Sequence, residues 1–178
     1  EDNAVDIVKL TPAHLSLVQS MNLAGSRVKK LIVGGEDLKT QIAHTITRRF
    51  GGKVEIYNEY GPTEATVGCM HYLYDPERDT QGSVPIGRAI ENLQVYVLDA
   101  HLNPVPQGVV GEIHIGGTGL ALGYQNNAQE PTKRFIPSPF RPGERLYASG
   151  DLARWGPDGV MEYMGRADHQ VESADSAR

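Results

Sequence analysis

One cysteine, one tryptophan and three phenylalanines among 178 residues set the first limits on what this chain can be. With Cys69 as the lone cysteine, an internal disulfide is excluded and a secreted, disulfide-built scaffold is disfavoured, so a cytoplasmic setting is the simpler expectation. No apolar run reaches the length that spans a bilayer, and no charged, apolar and small-residue leader is present. The polar residues 1–3 read as a cut end, and the small, polar, aperiodic stretch 172–178 as foreign or frayed sequence. Lys and Arg number 17 against 22 Asp and Glu, a formal charge of -5, which leaves no basic surplus for a phosphate backbone or an anionic membrane surface. Neither nucleic acid nor membrane is therefore expected as a partner. The six histidines show no metal-ligand spacing and read as packing or surface residues, and no internal repeat or low-complexity tract occurs. A small ligand is the remaining class.

Glycine and proline are plentiful, at 20 and 11, and 39% of the residues are apolar, as in an ordinary soluble domain. Residues 6–9 read as a strand, and Thr11-Pro12 as a helix N-cap with proline in the first turn, opening a helix to about Ser20. Residues 30–33 read as a buried strand ending at Gly34-Gly35. Leu38, Ile42, Ile46 and Phe50 then recur at helical spacing until Gly51-Gly52, before a third strand over 54–57. Strand, helix, strand, helix, strand at these intervals predicts parallel strands joined by right-handed crossovers. From Gly68 onward the helical period gives way to short strands between turn clusters, with alternation in 112–115 and partly in 94–97, so this half should be mainly antiparallel. Only 127–135 reads as a helix there. The expected division is an α/β sheet segment over 1–67, a β segment over 68–165 and a terminal piece over 166–178.

Two segments could carry chemistry. Gly34-Gly35-Glu36 lies where a parallel strand turns into a helix, the place where open α/β sheets bind ligands, although paired glycines there are more often a plain tight turn. Asn58-Glu59-Tyr60-Gly61-Pro62-Thr63-Glu64 is richer. An aromatic ring can stack on a base, a threonine hydroxyl can bond a phosphate, and a carboxylate can hold the Mg²⁺ that bridges phosphate oxygens. The competing reading is a polar loop whose Gly-Pro makes a turn.

That whole string resembles a core motif of adenylate-forming enzymes, and in particular of nonribosomal peptide synthetase adenylation domains. Further motifs stand in the same order: Leu10-Thr11-Pro12-Ala13-His14-Leu15, then 31–36, then Gly111-Glu112-Ile113-His114-Ile115-Gly116-Gly117 through Gly123-Tyr124, then Ser149-Gly150-Asp151-Leu152, and Gly165-Arg166-Ala167-Asp168-His169-Gln170-Val171. The likeness runs from about residue 6 to 171 and corresponds to the later part of the family's large N-terminal subdomain. It implies an α/β fold: part of a parallel flavodoxin-like sheet with helices, followed by a mainly antiparallel distorted β-barrel.

The resemblance also implies roles. Asn58 would contact the adenine amino group, Tyr60 would stack on the base, and the backbone of Gly35-Glu36 and Gly61 would flank the nucleotide. Thr63 and Glu64 would serve phosphate and Mg²⁺ of ATP, Asp151 would accept from the ribose hydroxyls, Arg166 would meet phosphate or ribose, and Tyr163 would lie near the nucleotide. Asp168 would be the hinge about which a small C-terminal subdomain turns. The implied activity is formation of an aminoacyl adenylate from amino acid and ATP, followed by transfer to the phosphopantetheine thiol of a peptidyl carrier domain.

In such domains the side-chain pocket is lined at positions that here hold Lys9, Ile32, Gly34, Glu59, Val67 and Gly68. An ammonium and a carboxylate suit the oxygen and NH₂ of a carboxamide, so asparagine leads; aspartate would set like charges together, and glutamine stays open because three lining positions lie upstream. Lys9 and Glu59 could instead simply pair with each other. The family's glycine-rich phosphate loop and its catalytic lysine have no counterpart in these residues, Leu122 stands where arginine is common, and Ala148-Ser149 where a basic residue and threonine are usual. Two alternatives follow: an acyl-CoA or aryl-acid ligase of the same superfamily, or a noncatalytic nucleotide-binding or interaction piece.

Overall fold

The computed structural model describes residues 4–124 and 134–167. The chain begins with strand β1 (Ile7–Leu10), whose end runs into helix α1 (Pro12–Val18). The Thr11 side chain accepts from the His14 N–H while the His14 ring returns to the Thr11 N–H, so histidine fills the place usually held by Glu or Gln in a capping box. Pro12 costs nothing at this position because its missing N–H would have no helical partner. The helix stops at Val18, slightly short of the expected Ser20.

β2 (Lys30–Gly34) and β3 (Glu55–Tyr60) flank α2 (Thr40–Arg49), and β1, β2 and β3 pair in parallel. Thr40, Ala43 and Ile46 form the buried stripe of α2, and Arg48 and Arg49 place positive charge at its carbonyl end, where the helix dipole favours it. Gly51 and Gly52, both at positive φ, end it. Leu38 belongs to the apolar series but precedes the helix, because Lys39 is extended and bridges Ser83; the leucine is nevertheless buried in the same core. That core, with Leu15, Leu31, Val33, Leu38, Ile46 and Ile56 at its centre, lies between the two helices and one face of the sheet. Each such side chain contributes on the order of 1.5–3 kcal/mol by leaving water.

A 3-10 turn (Thr63–Ala65) follows β3, and β4 (Met70–Leu73) then returns antiparallel to β3, with the short β5 (Arg88–Ala89) beside it. The first sheet therefore has the order β1-β2-β3-β4-β5. The loss of helical period near Val67 marks the switch from parallel to antiparallel pairing within one sheet, so the expected division between 1–67 and 68–165 does not separate the sheets. Across this sheet Lys9, Ile32, Tyr57 and Leu73 stand in one row and Gly34, Glu59, His71 and Arg88 in another.

The second sheet contains β6 (Leu93–Leu98), β7 (Gly111–Gly117), β8 (Phe135–Pro137), β9 (Arg145–Trp155) and β10 (Met161–Arg166), all antiparallel, in the order β10-β9-β7-β6 with β8 on β9. Phe135, expected at the end of a helix, opens β8 instead, because its ring pairs across the sheet with Tyr147 in the second core; the rest of the 127–135 expectation lies outside the described residues apart from Arg134. That core gathers Met70, Ile86, Val97, Ile113, Ile115, Phe135, Tyr147 and Met161. Among the described residues no helix is long and apolar enough to cross a membrane.

The two sheets meet at Gly87 and Met161, where the N–H groups of Ile86 and Gly87 donate to Met161 O at 2.9 and 3.2 Å and Met161 N–H returns to Gly87 O at 2.8 Å. Gly87 has φ +86°, and a Cβ there would stand 1.9 Å from His71 O. Gly87→Ala is therefore expected to destabilise the chain by about 2–4 kcal/mol, combining left-handed strain with displacement of backbone; a urea midpoint unchanged from wild type would show that the junction does not depend on this glycine.

Candidate functional site

The functional candidates gather where β3 leaves the first sheet. Gly61 has no room for a side chain: a Cβ would lie 2.3 Å from Val67 O and 2.7 Å from Cys69 N. The loop closes on itself through Val67 N–H to Pro62 O and Cys69 N–H to Tyr60 O, with Thr66 and Val67 both at positive φ. Two non-glycine residues in the left-handed region together store strain of order 1–3 kcal/mol each, which the surrounding bonds must hold. Thr66 does part of this by donating to Gly119 O at 2.6 Å.

Three groups of predicted residues emerge. In the first, the Tyr60 hydroxyl donates to Asp151 Oδ2 at 2.5 Å and Arg166 Nη1 meets Asp151 Oδ1 at 2.9 Å, while the Tyr163 ring lies 6.3 Å from that of Tyr60. Asp151 is buried on β9, and its backbone N–H donates to Ser149 Oγ, which itself donates to Ile113 O. The serine found where threonine is usual thus has a structural task. Burial, then the adjacent Asp151 carboxylate, pushes the Tyr60 phenol well above its ordinary range, so it stays protonated and donating.

The second group lies on the open face of the first sheet. Lys9 Nζ stands 2.5 Å from Glu59 Oε2, so the two charges do pair directly. The parallel register sets Gly34 beside Glu59, where a Cβ would approach Glu59 O to 2.7 Å, and a Cβ on Gly68 would meet Glu59 Oε1 at 2.5 Å. Ile32 is the ladder partner of Lys9. Val67, also expected here, is 55% exposed beside Gly68. With Lys9 half in solvent, the ion pair is screened and easily parted.

The third group is centred on Glu64. Thr63 and Glu64 lie on the 3-10 turn, Glu64 O accepts from Ala121 N–H at 2.8 Å, and the Tyr124 hydroxyl donates to Glu64 Oε1. Tyr147, four residues before Asp151 on β9, is raised well above its ordinary range by burial and then by the nearby Glu64 carboxylate. Tyr60 and Glu64 therefore both reach toward β9. Sequence reasoning assigns no role to Tyr124 or Tyr147: the first closes one recognisable motif and the second lies two residues before another, but nothing in the order of residues says that they meet Glu64.

Two nucleotide candidates are engaged elsewhere. The Asn58 NH₂ donates to Val84 O at 3.0 Å and Pro85 O at 2.9 Å, which fixes the amide and leaves its Oδ1 outside those bonds. Glu36 Oε2 accepts from Ala13 N–H at the start of α1, and Gly35 takes φ +87° at the strand exit. Asp168, the hinge candidate, lies outside the described residues.

A model of the family described as "AMP-binding enzyme" matches residues 1–125. The chain belongs to that family. Bacitracin synthase 3 of Bacillus licheniformis is 56% identical over 171 residues, covering 96% of this chain and 3% of the synthase. Tyrocidine synthase 3 of Brevibacillus parabrevis is 53% identical over 172 residues, covering 97% and 3%. The chain thus spans less than a tenth of the length of these relatives. Among solved structures, PA1221, an NRPS protein containing adenylation and PCP domains, superposes with TM-score 0.87 at 29% identity, over 95% of this chain and 34% of that one. The Klebsiella oxytoca NpsA N-terminal subdomain shares the fold, with TM-score 0.80 at 23% identity, over 91% and 42%. Within the AMP-binding family this is nonribosomal peptide synthetase adenylation-domain sequence, a segment of the large subdomain.

Two outcomes test this geometry. Asp151→Asn removes the carboxylate that meets both the Tyr60 hydroxyl and Arg166 in a largely buried pair, and should cost about 2–4 kcal/mol in urea unfolding; a loss under about 0.5 kcal/mol would mean that the cluster is not formed in solution. Burial pushes the Cys69 thiol, 3.4 Å from Tyr60 O, up to about 12, so at pH 8 the native chain should resist iodoacetamide and react once unfolded in urea. Ready alkylation of the folded chain would show that the loop opens.

Proposed function

We propose that this segment supplies the base, ribose and side-chain contacts of an adenylation domain that activates an amino acid, with asparagine as the favoured substrate. The observation that carries the reading is the convergence on β3: Tyr60 reaches Asp151 on one side while Glu59, its neighbour in sequence, meets Lys9 on the other. Alternation along a strand sends adjacent side chains to opposite faces, so a single strand can serve nucleotide and amino acid at once.

On the nucleotide side, Tyr60 and Tyr163 offer aromatic surface for adenine, the fixed Asn58 amide offers an acceptor for its amino group, and Gly35-Glu36 and Gly61 allow close approach of backbone. Asp151 offers a carboxylate to the ribose diol, with acceptors on both oxygens and no competing donor. Arg166 stands beside it for phosphate or ribose. Thr63 and Glu64 are assigned to phosphate and Mg²⁺. The donor set fits that ion, which usually takes one or two protein carboxylates and completes its shell with phosphate oxygens and water. When bound, Mg²⁺ neutralises charge on the phosphates of ATP during attack by the substrate carboxylate.

On the amino-acid side, a carboxamide entering between Lys9 and Glu59 would accept from the ammonium and donate to the carboxylate, replacing their direct contact. Ile32, Gly34, Val67 and Gly68 would shape the remaining wall, the glycines leaving volume that a Cβ would fill. Transfer of the aminoacyl group to phosphopantetheine on a peptidyl carrier domain is supported by the likeness to PA1221, which contains both domain types. In this reading 1–67 and 68–165 are the two parts of the adenylation core, and 166–178 contains a hinge at Asp168. A cytoplasmic location agrees with the lone buried cysteine.

ATP–pyrophosphate exchange by the synthetase that contains this segment, run across the proteinogenic amino acids and a set of fatty and aryl acids, tests the assignment. Asparagine should give the highest rate, and Glu59→Gln should raise the aspartate-to-asparagine ratio at least about ten-fold by removing the repulsion. Strongest exchange with an aliphatic or aryl acid would overturn it.

A further inference from the structure

Glu64 is not left to find its own orientation. Its backbone carbonyl is tied to Ala121, its neighbour Thr66 is tied to Gly119, and its carboxylate takes the hydroxyl of Tyr124, so the segment 119–124 grips the turn at three points. That segment is itself braced. Arg145 on β9 donates through Nη1 to Leu122 O at 3.1 Å and through Nη2 to Ala121 O at 3.0 Å, with its guanidinium 5.2 Å from the centre of the Phe135 ring. Phe135 in turn stands edge-on to Tyr124, ring centres 6.0 Å apart, and 5.1 Å from Tyr147. The Tyr124 ring is thereby held by packing, and its hydroxyl is aimed by a strand of the other sheet.

We infer that Tyr124 is a positioning residue for the metal-binding carboxylate: its hydroxyl holds Glu64 Oε1 and leaves the remaining carboxylate oxygen to face the cation, with Arg145 and Phe135 fixing the segment that carries it. The inference rests on the assignment of Glu64 to Mg²⁺ in the proposed function. A flexible glutamate on a three-residue turn would otherwise lose rotamer freedom each time it met the ion, and a preset acceptor removes that cost. Partners of metal ligands commonly change metal affinity by about 10–100-fold when removed.

The test titrates Mn²⁺, as a paramagnetic substitute for Mg²⁺, into the full chain with saturating ATP and follows free Mn²⁺ by electron paramagnetic resonance. ATP affinity in EDTA is measured separately by calorimetry. Tyr124→Phe, which keeps the ring against Phe135, should weaken Mn²⁺ binding to the protein–ATP complex about ten-fold and leave metal-free ATP affinity within about two-fold. Arg145→Met, which touches neither hydroxyl nor carboxylate, should weaken it about three-fold by loosening the segment, and provides an independent reading if Tyr124→Phe unfolds. Glu64→Gln separates the two ideas. If it abolishes protein-dependent Mn²⁺ binding while the Tyr124 and Arg145 variants bind normally, the positioning role falls and the metal assignment stands. If Glu64→Gln binds Mn²⁺ as wild type does, or wild type shows no protein-dependent binding, the metal assignment falls and the positioning role with it. Equal losses of Mn²⁺ and metal-free ATP binding in Tyr124→Phe would mark a structural role only and also overturn the inference.

Discussion

The hydrogen bond from Tyr60 to Asp151 joins residues 91 positions apart and links the two sheets at the place where the candidate ligands would lie. Much of the local architecture serves it. Tyr60 is the last residue of β3, paired with Met70 of β4 and one residue beyond the end of the β2 ladder at Gly34–Glu59. Asp151 sits within the eleven-residue β9, between β7 and β10, and its charge is balanced by Arg166 from β10. A carboxylate this buried is tolerable only because it is paired and accepts hydrogen bonds; the same arrangement that offsets desolvation also fixes where its oxygens point.

Around that link the loop after β3 has little freedom. Gly61 is packed against Val67 O, Thr66 and Val67 are strained into the left-handed region, and Thr66 and Glu64 are tied to the 119–121 backbone. Strain concentrated between two sheets, where the surrounding bonds over-determine the conformation, is what a preorganised site requires. The Gly87–Met161 junction holds the same two sheets together elsewhere, so the positions of β3 and β9 do not rest on the Tyr60–Asp151 bond alone.

Opposite faces of one short strand separate the two halves of the proposed chemistry. Asn58 and Tyr60 face inward toward Val84, Pro85 and Asp151, whereas Glu59 turns to Lys9, Gly34 and Gly68. A one-residue slip of β3 would exchange these sets, and the buried Ile56 and Asn58 hold the register against it.

The sequence by itself determined the secondary pattern of the first third, because helix caps, glycine stops and a 3.6-residue period are local properties of the chain. It also determined family membership, since the motif from Asn58 to Glu64 and the order of those around it are legible without coordinates. Tertiary structure alone decided that β4 and β5 complete the first sheet, because the change of period reports strand direction and not sheet membership. It decided that Phe135 belongs to a strand, its ring being drawn into a core built from Tyr147 and Ile115. It also decided that Lys9 and Glu59 touch, and that Glu64 meets Tyr124 from 60 residues away. Contacts of that kind depend on where two sheets cross, which no local periodicity encodes.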